Sequence, residues 1–261
     1  MTRYHDGAYG TLLTRHLHGD ETVDDLCVRA PQLVIDTHRA YLDAGATAIQ
    51  TNAFLTHLRG SDRRRAELRH AALDCARTAA GASASPVLVL ATIGPAGDEP
   101  RDFWEPIEQA LEAGVAGVLC ETVTTRTAAD AFLDAWCDVA AGVAGVELML
   151  GCSTITDAHP GWIVELASSA PEEVLLGLNC CAGPLGLRGL LEAIIDLRGT
   201  SWAMPSAGIP ESELGAPPCW PFDEPSHWVE ALLGEVDGVP LAALGGCCGT
   251  SPSHVSLLCA R

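Results

Sequence analysis

"ALEAGVAGVLCET" occupies residues 110–122, and "YLDAGATAIQTN" at 41–52 follows the same pattern. In each, a helix-forming stretch stops at a glycine, Gly114 or Gly45, and a short apolar run then ends in polar residues. Glycine accepts the left-handed conformation that closes a helix, so both stretches read as helix, tight loop and strand. Further runs rich in Val, Leu and Ile lie at 87–93, 146–151, 173–178, 200–204 and 239–244, and a short one precedes Asp6. These are eight candidate strands, and most intervals between them hold one helix. Near-continuous apolar strands alternating with helices form a parallel sheet covered on both faces. Eight such units in 261 residues fit an α/β fold of the (β/α)8 TIM-barrel type, which takes about 250 residues. One domain spanning 1–261 is expected, because no linker or break in composition divides the chain. "GAPPCWPFDEP" at 215–225 reads as an excursion between strands seven and eight. A doubly wound sheet is the rival architecture. No GxGxxG follows the first strand, which removes that rival's commonest ligand signature without excluding it.

A barrel keeps its chemistry where the strands end. Here the strand ends carry Asp6, Asn52, Glu121, Ser153 with Thr154, Cys180, and Cys247 with Cys248. Polar groups at the same end of so many strands point to one mouth.

The balance of 15 Lys+Arg against 34 Asp+Glu gives a net charge of −19. Nucleic-acid binding needs positive charge to displace counterions, so no nucleic-acid partner is expected. The start, "MTRYHDGAYG", has no apolar core of a secretory signal, and "VLVLA" at 87–91 is too short to span a bilayer. No membrane partner and a cytoplasmic location are therefore expected. In a reducing compartment the eleven cysteines serve packing or metal binding rather than a disulfide framework.

Cys27, Cys75, Cys120, Cys137, Cys152 and Cys259 fall in apolar or helical stretches and are expected to pack as small hydrophobes. Cys219 sits in the Pro-rich loop, where neither role is indicated. "LGLNCCAGP" at 176–184 and "LGGCCGTSP" at 244–252 differ, because their cysteines follow strands and neighbour glycine or asparagine. Adjacent cysteines can share one tetrahedral metal if the backbone turns sharply, as Gly245, Gly246 and Gly249 allow, with Cys180 the best-placed third ligand. Neither fragment has a standard zinc spacing. On spacing alone, a metal site and a packed or oxidised cysteine pair both remain open.

Seven fragments occur here in the order of the homocysteine S-methyltransferase family: "DGAYGTLL" (6–13), "QTNAF" (50–54), "CETV" (120–123), "STITDA" (153–158), "GLNC" (177–180), "PSAGIP" (205–210) and "GGCCGTSPSHV" (245–255). Within that family the chain most resembles the homocysteine-binding barrel of cobalamin-dependent methionine synthase. The resemblance implies a (β/α)8 barrel in which zinc is held by Cys180, Cys247 and Cys248, leaving Cys181 without a counterpart. It also implies methyl transfer to the thiol of homocysteine, giving methionine, with Glu121 and Asp6 pairing with the substrate ammonium. The backbone at Gly7 and Ala8 is a candidate receiver of the carboxylate. Asn52 and Asn179 are candidates for substrate binding or for hydrogen bonds between loops. Glu121 has a second reading as a helix cap, and Asp6 as a turn residue beside Gly7.

The chain departs from the family pattern at Ser206, where asparagine is usual, at Tyr9, where methionine is common, and at Ala53, where threonine is frequent. The partners implied are a small-molecule thiol and a methyl donor. An onium donor is expected, S-methylmethionine first, ahead of S-adenosylmethionine and betaine. The family's betaine enzymes carry a longer C-terminal extension. A separate corrinoid protein is the other donor, which would make the chain the homocysteine-binding half of a split methionine synthase. Methylation of another small thiol or selenol, and binding without catalysis, are further readings. The tryptophans at 104, 162, 202 and 220 are candidates for a cage around a methyl-onium group, although packing is their commoner role. The basic run "RGSDRRRAEL" at 59–68 reads as a solvated helix start rather than a donor patch.

Overall fold

The computed structural model describes residues 2–155, 160–211 and 219–261. From the N-terminus, β1 (Arg3–Tyr4) leads through α1 (Tyr9–Leu13), α2 (Leu26–Arg29) and α3 (Pro31–Asp43) to β2 (Ala48–Gln50). Then α4 (Asp62–Gly81), β3 (Leu88–Ile93), α5 (Arg101–Glu112), β4 (Gly117–Val123), α6 (Arg126–Val139) and β5 (Glu147–Cys152) alternate. The chain continues through α7 (Gly161–Ser169), β6 (Val174–Asn179), α8 (Arg188–Arg198), β7 (Ser201–Met204), α9 (Pro225–Val236), β8 (Leu241–Leu244) and α10 (Pro252–Cys259). The eight strands are all parallel, in the order β1-β8-β7-β6-β5-β4-β3-β2. A bridge between His5 and Ala48 joins the two ends of that order, so the sheet closes into a (β/α)8 barrel. Every expected strand is present, to within two or three residues at its ends.

Gly45 and Gly114 do adopt left-handed backbone, at φ 104° and 68°. Each ends a helix, α3 or α5, and lets the chain enter the next strand after a short turn. The strands then sort their side chains with period two. Val118 and Cys120 on β4 face the helical shell with Phe103, Ile107 and Phe132, while Leu119 packs with Leu90, Met149, Trp202, Met204 and Ala243 in the interior. Two layers of apolar burial therefore flank β4.

Trp202 fills the barrel interior and donates from Nε1 to the Leu175 carbonyl at 2.8 Å. Trp162 and Trp220 pack against the shell, and Trp104 is exposed, so these residues serve packing and surface roles. The basic run opens α4 but is not simply solvated. Arg59 and Arg64 (2.6 Å) both reach the buried carboxylate of Asp25, and Arg69 pairs with Glu105 at 3.0 Å. Cys27, Cys75, Cys120 and Cys152 are buried as expected. Cys137 is exposed on α6, because the apolar face of that helix is taken by Phe132, Leu133, Ala135 and Trp136. Of the Pro-rich excursion, residues 215–218 lie outside the described residues; Cys219 is exposed and bridges to Glu211. Among the described residues, no helix is long and apolar enough to cross a membrane.

Candidate metal centre

Where β6 ends, Cys180 takes φ 47°, a left-handed conformation unusual for a residue with a side chain. Its backbone is held on both sides, the amide by the Met204 carbonyl at 3.2 Å and the carbonyl by the Ser153 hydroxyl at 2.8 Å. Directly after β8, the chain runs Gly245–Gly246–Cys247–Cys248. Gly245 lies against the closing strand, since a Cβ there would come within 2.7 Å of the His5 Cβ. The Cys247 amide donates to the Pro205 carbonyl at 3.0 Å, and the Cys248 carbonyl accepts from the Ala207 amide at 2.7 Å. These bonds seat the last strand's loop against the loop after β7.

The consequence is a cluster. The sulfur atoms of Cys180, Cys247 and Cys248 all lie within 4.8 Å of one another, with Cys180 and Cys248 at 3.7 Å. A tetrahedral zinc with bonds of about 2.3 Å requires sulfur–sulfur edges of about 3.8 Å, so the donor set fits such an ion. Among the described residues this is the one group of three or more side chains placed to hold a metal. The packed thiols also share charge. The Cys248 thiol is pulled down to about 3, first by the hydrogen bonds from Cys180 and Cys247, whereas Cys247 is raised by its bonding to both neighbours and by burial. Cys181 points elsewhere. It is 2% exposed and belongs to the shell core, with its sulfur against the Asn179 carbonyl at 3.5 Å.

All three sulfurs border a cavity of about 270 Å³, whose wall also includes Glu121, Asn179, Gly7, Tyr9, Gln50, Asn52, Leu119, Phe54 and Met204. Glu121 reaches it because it follows the interior residue Leu119 by two positions, at the start of a slip in the sheet. Cys120 pairs with Leu150 and Val123 with Cys152, leaving one extra residue on β4. Such a bulge re-aims the side chains at its centre. Asn179 Nδ2 donates to Glu121 Oε2 at 2.9 Å. Helix α6 is capped by Thr125, whose hydroxyl accepts from the Ala128 amide at 3.2 Å, so Glu121 is not the cap. Burial, with the charges of Cys248 and Asp6, pushes the Glu121 carboxyl up to about 8.

Asp6 stands behind the cavity wall, fully buried. Its Oδ2 accepts from the Tyr9 hydroxyl and from the Gln50 amide (2.7 Å). His38 Nδ1 lies 3.0 Å from the same hydroxyl. Since that hydroxyl donates to Asp6, His38 donates to it through Nδ1–H, and burial keeps the imidazole neutral by pushing it down to about 3. Burial raises Asp6 to about 7, opposed by the bonds from Tyr9 and Gln50. Tyr9, a departure from the family pattern, thus fastens the carboxylate beside it.

Asn52 lines the cavity, but its amide nitrogen donates to the Val23 carbonyl at 2.8 Å and lies 3.4 Å from the Cys27 sulfur, tying two loops together. Ser206 donates to the Cys181 and Gly208 carbonyls and is 1% exposed, a loop fastener behind the mouth. Ala53 is buried away from this cavity. Residues 156–158 of the "STITDA" fragment lie outside the described residues. Sequence reasoning missed Gln50, Phe54, Leu119, Met204 and His38. For Gln50 a signal existed, a polar residue ending a strand in "AIQTN"; a single histidine inside α3 carries none.

Barrel and cysteine cluster together define a (β/α)8 protein with a cysteine-lined, metal-capable mouth. The model of the homocysteine S-methyltransferase family matches residues 4–261. The methionine synthase of Mycobacterium tuberculosis is 28% identical over 298 residues, covering 96% of this chain and 24% of that protein. That of Mycobacterium leprae is 29% identical over 296 residues, covering 96% and 23%. The chain thus spans about a quarter of the length of these relatives. Among solved structures, the metallated form of the homocysteine methyltransferase MmuM from Escherichia coli superposes with a TM-score of 0.74 at 20% identity, covering 100% of this chain and 96% of that one. At that identity the likeness is one of fold. The family match decides the rest: the chain belongs to the homocysteine S-methyltransferase family.

Proposed function

We propose that residues 1–261 form a homocysteine-binding barrel that transfers a methyl group to the thiol of homocysteine, giving methionine, with zinc held by Cys180, Cys247 and Cys248. The observation that carries this reading is the cluster of three sulfurs on the wall of a cavity that also presents a carboxylate, Glu121. When bound, zinc supplies the Lewis acidity that turns a thiol, with a free pKa of about 8.5, into a thiolate at neutral pH. The chain's own residues then hold and orient the acceptor. Glu121 pairs with the ammonium, whose positive charge draws its raised carboxyl back to the ionised form, and Asp6 stands behind the wall. The amides at Gly7 and Ala8, where α1 begins without a side-chain cap, receive the carboxylate. Asn52 fixes the loop that carries Thr51 and Phe54. Leu119, Phe54 and Met204 keep water from the sulfur, which favours attack on a methyl group over solvation.

The methyl donor in this reading is a sulfonium, because a methyl group departs easily from a leaving group that becomes neutral. S-methylmethionine comes first. A corrinoid protein is the second reading, favoured by relatives named methionine synthase that are about four times as long as this chain. Turnover of homocysteine by the zinc-loaded protein, with S-methylmethionine, S-adenosylmethionine or betaine, and separately with a methylcobalamin protein, tests both. Methionine formed with a sulfonium alone is the expected result. Transfer only from the cobalamin protein would assign the chain to a split methionine synthase, and no transfer from any donor would overturn the catalytic reading.

A further inference from the structure

The backbone at Thr122 is held in a conformation its own chemistry disfavours. It takes φ 60°, left-handed for a β-branched residue, at the bulge where β4 loses register with β5. Such a conformation persists only where the surroundings over-determine it. One side chain does so here. Asn179 Oδ1 accepts from the Thr122 amide at 2.9 Å, and its Nδ2 donates to the Thr122 hydroxyl at 3.1 Å and to Glu121 Oε2 at 2.9 Å.

The assignment of oxygen and nitrogen in this amide is fixed by chemistry, since the Thr122 N–H can only donate. Both hydrogens of Nδ2 are then committed, and none remains for a substrate carboxylate. The side chain is 1% exposed. Room for it comes from β5, where a Cβ on Gly151 would stand 2.5 Å from Asn179 Oδ1. The next residue is Cys180, itself left-handed. A single amide therefore links the end of the strand that supplies a sulfur to the bulge that supplies the carboxylate.

We propose that Asn179 is a positioning residue: it does not touch the acceptor but sets the place of Glu121 relative to Cys180, and so the span between thiol and ammonium that the site accepts. The proposal rests on the reading of the cavity as a homocysteine site, and its test has an arm independent of that reading. In the zinc-loaded protein, Asn179→Ala should speed hydrogen exchange at the Thr122 amide about tenfold or more relative to the amides of Val118 and Leu119, because the removed acceptor protects only the former. Zinc should stay at one per chain. The homocysteine KM should rise about tenfold, as for a lost charge-assisted hydrogen bond, with kcat changed less than about threefold. Asn179→Ser, which is too short to reach both partners, should behave alike if the alanine variant folds poorly. In a Glu121→Gln background, Asn179→Ala should weaken homocysteine no further, since both changes remove one arrangement. Unchanged protection at Thr122, or losses that multiply in the double variant, would overturn the proposal. If the unaltered protein takes no homocysteine, the functional reading falls, and exchange at Thr122 still decides the role of Asn179.

Discussion

At Cys180 the chain accepts left-handed backbone to bring one sulfur to within 3.7 Å of Cys248, and the neighbouring Cys181 is left in the core. The distinction has a direct consequence. Cys247→Ala or Cys248→Ala should lose metal and activity together, because two thiolates hold zinc far more weakly than three, whereas Cys181→Ala should keep the metal content of the parent. Elemental analysis of purified variants checks both; full zinc in the Cys247 and Cys248 variants would contradict the ligand set. Glu121→Gln removes charge with little volume. Homocysteine binding, read by calorimetry on zinc-loaded protein, should weaken by about 1.5–3 kcal/mol while zinc stays. Unchanged affinity would remove Glu121 from the site. The three cysteines and Glu121 stood out in the sequence as polar groups at or near strand ends. Their selection as ligand set and ammonium partner came from the family resemblance, since spacing alone left a packed cysteine pair equally open. The fastening of Asp6 by Tyr9 and His38 was not legible, because it joins a loop to the buried face of α3 and leaves no pattern in spacing.

At the scale of elements, eight apolar runs separated by helices announced the barrel, and two glycines closing helices fixed where strands begin. The bulge in β4 was invisible, since an extra residue in one strand is defined only by its partner. Also hidden was how the interior is filled. Trp202 lies across β6 so closely that a Cβ on Gly177 would collide with its indole ring and its carbonyl. Gly177→Ala should therefore overpack the barrel and destabilise it by about 1–3 kcal/mol, seen as a lower urea midpoint at unchanged slope. A midpoint equal to the parent's would mean that the interior yields easily, contrary to the packing described. The alternation that places Leu119 inside and Val118 outside carries on to the candidate site residues. Glu121 follows Leu119 by two positions and Asn179 follows Leu175 by four, so the core pattern itself delivers them to the mouth.

For the whole molecule, a net charge of −19 coexists with carboxyls held where ionisation is unfavourable. Asp24 is fully buried and pushed up to about 8, by burial first and the charge of Asp25 second. A raised carboxyl means that the folded protein keeps a proton the unfolded chain has released. Stability should thus fall as pH rises from about 4 to about 8 and level off above, by up to about 1.4 kcal/mol per pH unit for each such group. Asp24→Asn preserves the neutral shape and removes this loss. Its melting temperature should match the parent's near pH 4 and exceed it increasingly toward pH 8; parallel curves would refute the assignment. The fold's larger achievement is to bring the ends of β6 and β8 together at a single mouth, and there the account is most exposed. Zinc K-edge X-ray absorption on the purified protein, before and after homocysteine is added, tests it most directly. The expected result is about one zinc per chain in a shell of three sulfurs at about 2.3 Å, rising to four sulfurs with homocysteine. A zinc bound mainly by nitrogen or oxygen, or a sulfur count that homocysteine leaves unchanged, would contradict it.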